Sequence, residues 1–138
     1  MRHTGPYEQC DGAWKELCDW ACPKGLFGPQ TQVLGVGYDD PEITPPEKIR
    51  YDACISVGPD VEGEGSVGIR EIEGGEYVTA IWKGPYTGLM NVYAALCGQW
   101  GPSSGREFSG KPCVEQYLND PATTKPEDLL TEIRIPLV

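Results

Sequence analysis

"GPYEQCDGAWKELC" (5–18) and "GPYTGLMNVYAALC" (84–97) are two spellings of one phrase in a chain of 138 residues. Setting Gly5-Pro6-Tyr7 over Gly84-Pro85-Tyr86 brings Leu17 onto Leu96 and Cys18 onto Cys97 at a constant offset of 79. A second pair follows. "DDPEITPPEKIRYDACISV" (39–57) aligns with "NDPATTKPEDLLTEIRIPL" (119–137) at an offset of 80, with Asp40-Pro41 on Asp120-Pro121, Glu47 on Glu127 and Ile55 on Ile135. Two collinear blocks at nearly one offset mean two copies of one unit. The short solenoid repeats have smaller periods, so the pattern reads as an internal dimer.

The copies share one order of elements. Each Gly-Pro-Tyr opens a helix, over about 8–22 and 87–100. Leu89, Val92, Tyr93 and Leu96 keep the 3.6-residue period, as do Ala13, Trp14, Leu17 and Trp20. "VLGVGYD" (33–39) and "CVEQYLND" (113–120) read as short strands closed by Asp-Pro turns. "YDACISV" (51–57) and "TEIRIPL" (131–137) alternate as half-buried strands, with Ala53, Ile55 and Val57 matching Ile133, Ile135 and Leu137. "GEYVTAIWK" (75–83) is a strand ahead of the second Gly-Pro-Tyr, whereas only Met1–Thr4 stands ahead of the first, a strand very short or lost. The expected fold class is α+β: duplicated βαββ units, repeat one about 1–58 and repeat two about 69–138, within a single domain 1–138. "GPDVEGEGSVG" (58–68) is expected as a Gly-rich acidic joint, and "GPSSGREFSGKP" (101–112) as a loop.

Composition narrows the function. A net charge of −10, with no clustering of the 11 Lys and Arg, lacks the basic footprint that displaces counterions from nucleic acid. Direct nucleic-acid binding is therefore not expected, whereas the acidic field favours cationic partners. No apolar run approaches a membrane span, and no basic-then-apolar leader opens the chain, so the expected address is cytoplasmic. Six cysteines without Cys-x-x-Cys spacing, and a single histidine, His3, give no four-ligand set. The expectation is six free thiols, no metal and no cofactor.

Two such units, set side by side as one antiparallel sheet with both helices on one face, are expected to leave a ligand groove on the opposite face at a pseudo-two-fold axis. Alternation sets Cys113, Glu115 and Tyr117 on one side of their strand. The duplicate side carries Val33, Gly35 and Gly37, so Glu115 is expected to face Gly35, the duplicate of its own position, with two glycines leaving open space beside the charge. Glycine within a strand marks close approach by something else. A carboxylate matched by two glycines is the strongest asymmetry between the copies, although a strand glutamate paired to Arg134 or Arg70 has the same sequence.

The segments "GPYEQCDGAWKELCDWA", "GYDDPEITPPEKIRYDACISV", "GGEYVTAIWKGPY" and "PCVEQYLNDP" together resemble the GyrI-like small-molecule-binding domain, the module that serves AraC-type regulators as effector-binding domain. The resemblance runs in order through essentially the whole chain. It implies a groove for bulky, hydrophobic, often cationic compounds, and a key acid in Val114-Glu115-Gln116-Tyr117-Leu118, hence Glu115. Beside Glu115, the candidate ligand contacts are Tyr117 and Trp82, the glycines Gly35 and Gly37, and the rings of Tyr7, Trp100 and Phe108. The short first strand departs from the family pattern, and no helix-turn-helix flanks the domain, so a stand-alone binding module for drug binding, sequestration or sensing is expected. Two alternatives follow from the same resemblance. One is a hydrolase that opens cyclopropanoid DNA-alkylating compounds, with Glu115 as general base and Trp82 or Tyr117 orienting the ligand. The other is an interaction protein of the gyrase-inhibitor kind. Binding takes precedence over catalysis because the sequence places no second acid.

Overall fold

The computed structural model describes all 138 residues, Met1–Val138. They divide into two compact units, Met1–Glu73 and Gly74–Val138. In the first unit β1 (Arg2–Thr4) leads into α1 (Asp11–Ala21), then β2 (Val33–Gly37) and β3 (Arg50–Ile55). Both β1 and β2 pair antiparallel with β3, which gives the strand order β1-β3-β2. The second unit repeats the plan. β4 (Tyr77–Lys83) precedes α2 (Leu89–Ala95), and β5 (Cys113–Tyr117) and β6 (Leu130–Pro136) follow; β4 and β5 flank β6, all antiparallel. The fold is α+β, with the duplicated β-α-β-β order that the repeat predicts. The first strand is present and is three residues long.

The repeated phrases do repeated physical work. Gly5 and Gly84 sit at φ of +135° and +148°, a region that side chains rarely adopt. From there the Gly5 amide donates to the Ile49 carbonyl at 2.7 Å, and the Gly84 amide to the Leu129 carbonyl at 2.8 Å. The proline that follows suits a helix entrance because its missing N–H has no partner to lose. Downstream, Asp40 and Asp120 each accept from the amide two residues on, both at 2.8 Å. Asp39 and Asn119 each accept the amide that opens the final strand, Arg50 at 2.8 Å and Leu130 at 2.9 Å. These side chains satisfy turn and strand-edge backbone groups that would otherwise go unpaired.

Each helix buries a stripe against one face of its own sheet. Ala13 and Leu17 of α1 join Tyr51, Ala53 and Val67 in one core, and Ala21 is buried one turn further along. Leu89 of α2 joins Ile133 and Ile135, with Val92, Tyr93 and Leu96 packed at the margin. The second helix continues beyond α2 through a wide π turn, Leu96–Trp100, into a last helical turn, α3 (Gly101–Ser104). The Gly101 amide reaches back five residues to the Leu96 carbonyl. Pro102 cannot donate, and the widened turn absorbs that loss. The expected loop over 101–112 therefore begins as helix.

The joint expected at 58–68 is packed. Glu64 and Val67 form a small bridge around Gly65, at φ +60°. Val67 is buried in the α1 core. Glu64 accepts from Trp20 Nε1 at 3.3 Å and pairs with Lys24 at 3.3 Å. Two residues past Gly68, the Arg70 guanidinium reaches Tyr38 Oη and Asp52, on the sheet face turned away from α1. Asp52 also takes the Arg2 guanidinium and, at 2.5 Å, the Tyr38 hydroxyl. Tyr38 is ringed by Arg2, Arg50 and Arg70 with guanidinium carbons 4.7, 5.2 and 5.5 Å from its centroid.

Asp52 thus ties first strand, third strand and linker together from a nearly buried position. Asp52→Ala strands two guanidinium groups and a phenol, and is expected to cost about 1–3 kcal/mol in urea denaturation. It should also speed tryptic cleavage after Arg70. Unchanged stability and cleavage would mean that the cluster is only surface decoration.

Candidate functional site

The register of the second unit decides which side chains meet. Glu115 of β5 lies opposite Ile133 of β6, which lies opposite Ala80 of β4; the next row is Tyr117, Thr131 and Trp82. Directly paired residues in an antiparallel sheet share a face. Ile133 and Ile135 face α2. Cys113, Glu115 and Tyr117 are therefore on the helix-bearing face, and Val114 and Gln116 on the other. The expected groove on the helix-free face is corrected here for Glu115: an acid in register with Ile133 shares the face of Ile133. The first unit follows suit, since Gly35 and Gly37 lie opposite Ala53 and Tyr51, both in the α1 core.

Around Glu115 the helix supplies what the strand lacks. The Tyr93 hydroxyl, from the packed stripe of α2, donates to Glu115 Oε1 at 2.8 Å. The Tyr117 hydroxyl donates to Oε2 at 2.7 Å. Each carboxylate oxygen therefore has one phenol donor, and neither donor carries a charge. The arginines that the sequence offered as partners are engaged elsewhere: Arg134 with Gln116 and Glu132, Arg70 with Tyr38 and Asp52. Glu115 keeps part of its surface exposed, yet enough protein surrounds it that burial pushes its carboxyl above the ordinary glutamate range. The bonds from Tyr117 and Tyr93 offset this only in part. Tyr86, from the turn after Pro85, packs edge-on against Tyr117 with centroids 5.5 Å apart. Burial, then the charges of Asp120 and Glu115, raise the Tyr86 phenol. Cys113, the next residue along this face, is raised to about 11, mainly by burial. That leaves it a protonated thiol at neutral pH, and a poor nucleophile.

The remaining candidates take other places. Trp82 belongs to the row of Tyr117, separated from it by Thr131; its indole lies over Gly84 and Gly88 and donates to the Pro85 carbonyl at 2.8 Å. Phe108 bridges Leu137, the residue just past β6. Its ring packs on Gly101 and pairs with Trp100 at 6.3 Å. Trp100 thus lies toward the end of the helix beyond Tyr93, whereas Phe108 also packs against the core of Leu89, Ile133 and Ile135. In the first unit, the space expected beside Gly37 is taken by Tyr7: a Cβ there would stand 3.4 Å from the Tyr7 hydroxyl oxygen, which is itself held by the Asp39 carbonyl at 2.5 Å.

In sequence Tyr93 stands on the periodic helix stripe, and neither Tyr86 nor Thr131 is among the candidate ligand contacts. For Tyr93 a signal existed. A tyrosine on an otherwise apolar stripe brings a hydroxyl that has to find a partner when buried, and the facing strand carries a single acid. All six cysteines are free, and no helix is long and apolar enough to cross a membrane.

With this geometry in hand, likeness to known proteins is informative. The chain belongs to the GyrI-like small molecule binding domain family, which it matches over residues 1–138. It is 31% identical over 109 residues to the probable transcriptional regulator YgiV of Escherichia coli strain K12, covering 78% of this chain and 68% of that protein. It is 30% identical over 125 residues to a DNA gyrase inhibitor of Citrobacter rodentium, covering 87% and 78%. Among solved structures, the EcmrR C-terminal domain superposes with a TM-score of 0.84 at 21% identity, over 99% of this chain and 87% of that one. The last likeness speaks to the fold alone.

A carboxyl whose pKa rises on folding holds its proton more tightly folded than unfolded. Its ionisation therefore costs the folded state stability, a loss that sets in as pH climbs from the unfolded value near 4.3 through the raised folded value. Glu115→Gln should accordingly be more stable than the wild type at pH 7, with the gap closing toward pH 4 in urea melts. A gap equal at both pH values would show that Glu115 titrates as an ordinary surface acid.

Proposed function

We propose that the second unit binds amphiphilic organic cations at Glu115, and that the protein serves to sequester or sense such compounds in the cytoplasm. The observation that carries this reading is a half-buried carboxylate whose two partners are neutral phenols. Tyr93 and Tyr117 orient the charge without neutralising it. A ligand cation supplies the counter-charge, and so relieves part of the cost of keeping an ion away from water. The rings of Tyr117 and Tyr86 offer flat apolar surface, and a cation over such a ring gains about 0.5–2 kcal/mol. Recognition by one charge and flat rings reads little of a ligand's detail, which suits a broad set of compounds. A net charge of −10 favours cations at a distance and disfavours phosphate backbones, so direct nucleic-acid contact forms no part of the proposal. Family membership supports small-molecule binding in general; the cationic class is argued from Glu115.

Rhodamine 6G, a fluorescent cation with a flat ring system, is a suitable probe. Glu115→Gln should weaken its binding about tenfold, or 1.4 kcal/mol, in fluorescence polarisation at pH 7. The neutral probe N-phenyl-1-naphthylamine should bind both proteins alike. Wild-type affinity for the dye should fall as pH drops through the raised pKa of Glu115, because protonation removes the charge, and this slope should vanish in Glu115→Gln. Equal dye binding by wild type and variant would end the assignment.

A further inference from the structure

Thr131 is fully buried, and its hydroxyl has no hydrogen-bond partner. It sits mid-row between Tyr117 and Trp82 on the face that carries Glu115, diagonal to Glu115 across the β5–β6 ladder. A buried hydroxyl is normally bonded, and one left unpaired calls for an explanation. Packing alone does not supply one, since valine has nearly the same shape without the polar atom.

The repeat offset of 80 puts Thr131 where the first unit has Tyr51, and Tyr117 where it has Gly37. There the cross-strand pair is Gly37 with Tyr51, and Tyr51 fills its place with a ring packed on Tyr7 and Trp14, centroids 6.0 and 6.5 Å away. In the second unit the ring has moved to β5, as Tyr117, and β6 keeps a small side chain with an unused hydroxyl. Two rings border this row near the surface. Tyr117 is partly exposed, and its edge-on neighbour Tyr86 is 37% exposed.

We infer that Thr131 is a second polar anchor of the Glu115 site, reached when the Tyr86–Tyr117 pair swings aside, and that the preferred ligands combine a cationic centre with a nearby carbonyl or hydroxyl group. The inference rests on the cation reading of Glu115 and adds a distance to it. Diagonal residues on one face of an antiparallel pair have Cβ atoms about 7–8 Å apart or somewhat less. A ligand whose hydrogen-bonding group stands a few bonds from its cation can meet both side chains, with its ring against the tyrosines.

Two small cations test this: benzoylcholine, with an ester carbonyl between its phenyl ring and its trimethylammonium group, and 4-phenylbutyltrimethylammonium, which lacks the carbonyl. Isothermal titration of the wild type should show a preference for benzoylcholine of about fivefold, the size of one neutral hydrogen bond. Thr131→Val should abolish the preference and Thr131→Ser should keep it. Thr131→Val should also raise the urea midpoint of the empty protein, a structural effect that by itself leaves the ratio between probes untouched. Glu115→Gln should weaken both probes and preserve their ratio. Equal wild-type affinity for the two, or a preference that survives in Thr131→Val, overturns the inference while the losses in Glu115→Gln leave the cation reading standing. Failure of Glu115→Gln to weaken either probe overturns the cation reading, and the inference with it.

Discussion

A glycine at positive φ, pinned through its amide to the carbonyl that precedes the last strand, is the constraint on which each unit depends. At Gly5 and Gly84 the chain leaves its first strand, turns, and enters a helix within a few residues. The amide bonds to Ile49 and Leu129 fix that turn against the strand that will carry the core. A side chain at either glycine would meet backbone strain, and loss of the bond would free the helix from its sheet. Once the turn is set, the helix has one face it can bury. The buried stripe then determines which alternate residues of the strands are core and which are not. The position of Glu115 under Tyr93 is a consequence of that geometry.

The Glu115 site illustrates how a fold can hold a charge without cancelling it. A carboxylate with an arginine partner would be a structural ion pair, closed to a third charge. One with no donors at all would be protonated by burial. Two phenols lie between these limits. They bond the oxygens and restrain their direction without supplying a counter-charge. The same face carries the unsatisfied hydroxyl of Thr131. The second unit thus concentrates polar demands that its own side chains leave unmet, while the first unit meets the corresponding positions with glycines and a packed tyrosine ring.

The first unit has taken a different course with its charges. Asp52, on the face away from α1, gathers Arg2, Arg70 and the Tyr38 hydroxyl, and Arg50 is held by Asp39. Carboxylates there are answered internally, and the result is a tether for a short strand and a linker. The sequence-equivalent of Asp52 is Glu132, which pairs with Arg134 on its own strand. The duplicated position keeps its acid and an arginine partner in both copies, but the partner comes from other segments in the first copy and from the same strand in the second.

The sequence by itself determined the duplication and the β-α-β-β order, and it singled out Glu115. Those features rest on local chemistry: glycine and proline in turns, Asp and Asn side chains that bond nearby amides, and periods of two and 3.6 that need no knowledge of distant contacts. Glu115 stood out because its duplicate is a glycine. Only the tertiary structure decided the face on which Glu115 lies, because alternation separates two sides of a strand without saying which one the helix covers. The partners came the same way. Tyr93 meets Glu115 across 22 residues of chain, and Thr131 lies beside Tyr117 only because of the β5–β6 register. Trp82 read as a groove residue in sequence, but its indole is drawn onto Gly84 and Gly88, a contact set by the path of the turn. The segment 58–68 read only as a Gly-rich acidic joint for a related reason. Its glycines and acids look solvated one by one, and the pairings of Glu64 with Lys24 and of Arg70 with Asp52 exist only once the first unit has folded.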